Sequence, residues 1–123
     1  KDVLCLLEQL TFDPDTDWLM SLDVESLYTS LPHLETLEVI EGVLFGVNWT
    51  YTTPRCSVLE CISIALTKNF FQFENTFYLQ RHGTSMGSTF APSLAWLYVH
   101  HLENNRILHM TNPYRSQIRI WKR

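Results

Sequence analysis

The stretch WLMSLDVESLYTSLP, residues 18–32, decides how the chain is read. Trp18 to Val24 is an apolar run with a polar end, the pattern of a central strand that carries a carboxylate, Asp23, to its C-terminal edge. Ser30 and Pro32 suit the first turn of a following helix, and Leu34, Leu37, Ile40, Val43 and Leu44 continue at roughly helical spacing, with Gly42 weakening its end. An acid at the end of a strand that feeds a helix is a placement used by enzymes that hold Mg²⁺ against phosphate oxygens. Taken by itself, it is equally the placement of a capping or turn residue.

Upstream, Val3, Leu4, Leu7 and Leu10 have the spacing of a short amphipathic helix, which the turn residues of TFDPDTD stop. Downstream, Thr53 and Pro54 make an N-cap and first-turn pair for a third helix with Val58, Leu59, Ile62, Ala65 and Leu66 as its apolar stripe. Phe70 to Phe73 and Phe77 to Gln80 read as strands of a hairpin turning at Glu74 and Asn75. A polar, glycine-bearing loop, RHGTSMGSTF, follows. From Pro92 a helix runs through Leu94, Leu97, Tyr98, His101 and Leu102 to about Leu108, ending before Asn112-Pro113. Gln117 to Arg123 alternate in part like a strand, and an unpartnered sheet edge there suggests a chain cut short. The expected class is α+β: a small antiparallel sheet built from the Asp23 strand and the terminal strand, helices on one face, and the Phe-rich hairpin at the side.

A chain of 123 residues, 46% hydrophobic and 13% aromatic, suffices for one core. Neither a linker nor an internal repeat divides it. No window has the apolar length of a membrane span and the N-terminus is not signal-like, so an intracellular chain with no membrane partner is expected, the nucleus included. The net charge of −4 hides a division: residues 1–60 hold eleven acidic against two basic side chains, a balance of −9, and residues 61–123 hold two against seven, a balance of +5. Two solvated faces would account for this, and so would carboxylates gathered where cations bind and bases where phosphates pass. An acidic total lacks the broad basic surface that gives nucleic-acid affinity, so part of such a surface would be missing. The odd set Cys5, Cys56 and Cys61 reads as structural thiols. His100 and His101 are adjacent rather than four apart, and His33, His82 and His109 are isolated, which argues against zinc. Asn48-Trp49-Thr50 fits a glycosylation sequon by chance alone when no secretory signal precedes it.

LDVESLYTSLP, with GTSMGSTFAP at residues 83–92, resembles the reverse transcriptases of Penelope-like retroelements, over nearly the whole chain from about Asp2 to Arg123. The resemblance implies a partial polymerase palm, residues 1–123 forming a single partial fingers/palm domain. It makes Asp23 the catalytic, metal-binding acid, with the carbonyl of Val24 joining the coordination, and Mg²⁺ the cofactor of the intact enzyme. It makes Tyr28, five residues on, a steric gate whose flat ring penalises a ribose 2′-OH by clash; the same residue would also serve as a core aromatic. Gly83, Met86, Gly87, Ser88 and Pro92 match the loop that opens a long helix and approaches template-primer and nucleotide, where glycine permits close backbone approach and a helix start offers free N–H groups. A glycine turn before a helix is the plainer alternative. Met86 stands where many reverse transcriptases have Gln, a subfamily trait, and Trp96 stands where relatives usually have Asn.

By this resemblance the chain is a fragment of an RNA-directed DNA polymerase, with an RNA template, a DNA primer and a deoxynucleotide triphosphate as partners and no oligomeric state specified. The tyrosine-x-Asp-Asp turn that supplies the other metal ligands would follow Arg123. Glu25, sharing a strand face with Asp23, is a poor substitute without a second strand. An inactive isolated chain is therefore expected. The alternative is a non-catalytic retroelement remnant acting as a structural or binding domain; a metal-dependent phosphatase or nuclease is disfavoured because no second acidic motif follows a later strand.

Overall fold

Three helices supply most of the buried side chains. They are α3 (His33–Gly46), α4 (Arg55–Thr67) and α5 (Ala91–Leu102), in a computed structural model that describes residues 3–122. Before them come α1 (Val3–Glu8) and the single turn α2 (Leu27–Ser30), and between α4 and α5 lies the hairpin β1 (Phe70–Phe73) and β2 (Thr76–Leu79). A π-helical turn, Glu103–Ile107, extends α5, and a short 3-10 turn spans Arg115–Gln117. Lys1, Asp2, at which the family resemblance begins, and Arg123, the end of the expected last strand, lie outside the described residues. No helix among the described residues is long and apolar enough to cross a membrane.

The α+β class is as expected, with one small antiparallel sheet, but that sheet is the Phe-rich hairpin. The strand expected over Trp18–Val24 is not formed: the segment lies outside regular structure with Trp18 92% and Leu19 80% exposed. The terminal strand is not formed either, and Ile118 to Lys122 follow the 3-10 turn without a ladder. A strand exists only by exchanging hydrogen bonds with a neighbour, and apolar alternation does not provide one. The two segments are nonetheless tethered: Arg119 pairs with the Asp17 carboxylate and donates to the Thr11 carbonyl at 2.9 Å. The Asp13 N–H, 2.9 Å from Asp17 Oδ2, and then the Arg119 guanidinium hold the Asp17 carboxyl below its ordinary pKa.

The core joins Leu31, Val39, Ile40, Leu66, Leu94 and Tyr98, flanked by Leu37, Leu44, Leu59, Ile62, Phe90, Leu97 and Leu102. Three of the five residues expected on α3's stripe turn inward: Ile40 is buried and Leu37 and Leu44 flank it, whereas Leu34 and Val43 face water and Thr36 and Val39 take the remaining inward positions. Thr36 is tolerated there because its hydroxyl donates to the Pro32 carbonyl at 2.6 Å, leaving no polar atom bare. Gly42 sits inside α3, which ends four residues later. Thr53 does not cap α4; Pro54 holds the N-cap position, its carbonyl accepting from the Ser57 and Val58 N–H groups at 3.1 and 3.2 Å. His101, expected on the α5 stripe, is exposed.

A polar bond between two helices crosses this core. The Tyr98 hydroxyl of α5 donates to Glu35 Oε2 of α3 at 2.8 Å, and burial first, then the Glu35 carboxylate, pushes the phenol pKa up from 10.0 to about 12. A raised pKa means the folded chain holds this proton more tightly than the unfolded one, so the contribution is complete below pH 10 and lost as pH rises towards 12. Urea unfolding across that window should show the loss in the native chain. In Tyr98→Phe that step should be absent, with stability at pH 7 lower by about 1 kcal/mol.

Candidate functional site

After Val24 the chain turns through Glu25 and Ser26, and Ser26 adopts a left-handed φ of 53°. That conformation costs a non-glycine residue about 1–2 kcal/mol. It is offset locally, because the Ser26 carbonyl accepts from the N–H groups of Thr29 and Ser30 at 3.1 and 3.0 Å and from the Thr29 hydroxyl at 3.1 Å. α2 is that turn, and it carries Tyr28. Glu25 therefore lies in a turn rather than on a strand face shared with Asp23.

The glycine loop closes on α2 through the backbone. The Gly83 N–H donates to the Leu31 carbonyl at 2.9 Å and the Thr84 N–H to the Tyr28 carbonyl at 2.7 Å. His33 Nε2, at the start of α3 and 50 residues away in sequence, donates to the Gly83 carbonyl at 2.6 Å, which fixes the proton on that nitrogen. Gly83 has φ +74°, and a Cβ built on it would sit 2.5 Å from Thr29 Cα and from the Tyr28 and Thr29 carbonyl oxygens. Only glycine fits. Gly87 differs, since a Cβ there would meet nothing closer than Ser85 Oγ at 3.9 Å.

Beyond the contact, the loop leads into α5. Thr84 is buried with its hydroxyl 3.5 Å from Ser88 Oγ, and Ser88 donates through both its backbone N–H and its hydroxyl to the Ser85 carbonyl. This turn pushes Met86 and Gly87 into solvent, and it aims the chain so that Phe90 reaches the core while Pro92 lies exposed in the first turn of α5.

The residues singled out from sequence thus divide. Tyr28, Gly83 and Ser88 belong to one hydrogen-bonded unit, half-buried or buried, with Pro92 at its edge and Met86 and Gly87 on its exposed rim. Asp23 and Val24 stand outside it: both are exposed, and Asp23 has neither a hydrogen bond nor an ion pair among the described residues. No group of three or more His, Cys, Asp or Glu among those residues could hold a metal. His33, Leu31 and Thr84 were not visible as site residues in the sequence, because their parts in the unit are long-range backbone contacts with no local signature.

Set against known proteins, the chain matches no family model, no curated protein and no solved structure.

Two substitutions separate the glycines. Gly83→Ala should lower unfolding stability by more than about 2 kcal/mol, combining left-handed strain with overlap against backbone that cannot move aside. Gly87→Ala should stay within about 0.5 kcal/mol of the native chain, as a surface change does. Chemical denaturation of both proteins measures the contrast.

Proposed function

We infer that the chain is the central part of an RNA-directed DNA polymerase similar to those of Penelope-like retroelements, with Tyr28 and the Gly83–Pro92 loop as its nucleotide-facing elements. The observation that supports this most is the backbone bridge between α2 and the glycine loop. Two segments selected separately from the sequence, LDVESLYTSLP and GTSMGSTFAP, meet by hydrogen bonds through residues of both. A polymerase needs that meeting, since the ring that gates the sugar and the loop that approaches the base and template must face one bound nucleotide. Tyr28 would discriminate against a ribose 2′-OH, and exposed Gly87, with room for a Cβ on its own chain, would keep space for a ligand rather than for the fold.

The cofactor implied is Mg²⁺. Asp23 can give it one carboxylate, and with no further acidic cluster among the described residues the donor set does not fit a pair of ions. No catalytic step is assigned to this chain alone. The same isolation of Asp23 favours a second reading, a non-catalytic remnant that keeps the fold and serves as a structural or binding domain.

Primer extension on an RNA template with Mg²⁺ should give no incorporation by the 123-residue chain; robust extension would contradict the need for further carboxylates. The parental reading frame separates the two proposals, with a tyrosine-x-Asp-Asp turn soon after Arg123 supporting the polymerase and an immediate stop codon supporting the remnant. In a protein carrying that turn, Tyr28→Ala should raise ribonucleotide incorporation relative to deoxynucleotide about 10- to 200-fold, the range over which a pocket discriminates one small group. Asp23→Asn should cut extension by at least about 10²-fold.

A further inference from the structure

The hairpin carries its apolar side chains on both faces and leaves both of its edges open. Its two-residue turn, Glu74 and Asn75, has φ of 46° and 63°, the geometry that matches strand twist. With Phe73 opposite Thr76, the ladder pairs Phe71 with Tyr78, and the Gln80 N–H donates to Asn69 at 2.8 Å. By alternation, the N–H and C=O groups of Phe70 and Gln72 on β1, and of Phe77 and Leu79 on β2, point outward with no strand to receive them. Phe70 packs edge-on against Phe77 on one face and Phe71 stacks on Tyr78 on the other, yet Phe70, Phe71, Phe73, Phe77, Tyr78 and Leu79 all remain 45–67% exposed.

At roughly 200 Å² per side chain, these five rings and Leu79 leave on the order of 700 Å² of mostly apolar surface in water. Only the β1 share of that surface can enter an edge contact, well below the roughly 800 Å² per partner of an ordinary stable interface, so any pairing there is weak and reversible. A two-stranded hairpin is marginal alone, and a sheet of three or more strands is not.

We propose that β1 pairs antiparallel with β1 of a second copy about a two-fold axis, building a four-stranded sheet in the order β2-β1-β1-β2. Charge selects the edge and the register. Centring the axis at Phe71 sets Phe70 opposite Gln72 of the other copy, so the outward groups of both exchange ladder hydrogen bonds. Just beyond the ladder it also brings Lys68, the C-cap of α4, to the same end as Glu74 in the turn of the other copy, at both ends of the pairing. Both side chains are exposed, and Glu74 is the one charge within residues 69–80. The corresponding pairing of β2 would set Arg81 beside Asn75, without a countercharge. The edge contact places Phe71 next to Phe71 of the other copy and leaves the outer faces of β2 free. A dimer on this surface is reversible, dissociating around 10–100 µM. The polymerase proposal is not a premise of this one.

Sedimentation equilibrium of the 123-residue chain from about 5 to 300 µM reads it directly. Reductant is kept present, because Cys5, Cys56 and Cys61 are exposed and could cross-link. The expected result is a mass rising from 14.5 kDa to twice that value. Lys68→Glu and Glu74→Lys should each weaken association roughly five- to tenfold, and the double swap should restore it. Gln72→Pro, which removes an outward N–H and leaves the internal ladder intact, should abolish the dimer, whereas Phe77→Pro should not; circular dichroism checks that both keep their helices. A monomer at every concentration, growth beyond two copies, or a double swap that fails to restore pairing overturns the proposal, and a monomer would leave the hairpin to a nucleic acid or an unrelated protein.

Discussion

The absence of a side chain at Gly83 is the constraint on which the rest of the described structure depends. Because nothing projects from its Cα, the loop can lie directly on the backbone of Tyr28 and Thr29, close enough for two N–H groups to reach carbonyls of the α2 region and for His33 to reach back to the loop. Gly83 and Thr84 are buried, and their N–H donors need partners that water does not supply there. α2 needs the contact equally. A helix of four residues cannot hold itself in water, and this one is kept by the loop on one side and by Leu31, 1% exposed, in the core on the other. Through those contacts the starts of α3 and α5 become parts of one unit.

That unit also explains why half of the candidate site is held by hydrogen bonds and half is not. Everything C-terminal to Ser26 in this region is fixed by backbone bonds to the loop or by side chains in the helical core. Asp23 and Val24 lie on the other side of the Ser26 turn, in a segment whose apolar residues touch little. The Arg119 pair with Asp17 restrains this segment at its beginning, six residues before Asp23, through exposed groups that hold position weakly. The backbone position of Tyr28 is therefore fixed by the fold, whereas no hydrogen bond or ion pair among the described residues fixes Asp23.

The helices were legible because their information is local. Spacing of Leu37, Ile40 and Leu44, of Leu59, Ile62 and Leu66, and of Leu94, Leu97, Tyr98 and Leu102 found α3, α4 and α5, and the hairpin announced itself through aromatic runs on either side of Glu74-Asn75. Details that depend on the partner surface were not legible: Leu34 has helical spacing but faces away from α4 and α5, and Thr36 is buried because its hydroxyl finds Pro32. In the site, Gly83 and Tyr28 could be singled out from their surroundings. That they touch, and that His33 closes the contact, is a property of chain sections 50 residues apart, which no local pattern encodes.

Trp18–Val24 and the hairpin sharpen this distinction, since both are apolar enough for strands and only one became a sheet. The hairpin's partner is delivered by a two-residue turn, so its ladder forms at little entropic cost; a partner for Trp18–Val24 has to arrive from far along the sequence or from another molecule. Period and composition describe what a segment can become, and the neighbour decides whether it does. Both segments leave large side chains in water, Trp18 and Leu19 in one and Phe70 and Phe77 in the other. Apolar surface of that size is stable in water only when scattered, and in the hairpin it sits on two neighbouring strands whose outer edges have no strand beside them. The helical unit buries its own apolar stripes, whereas Trp18–Val24 and the hairpin leave theirs in water because no second layer packs on them.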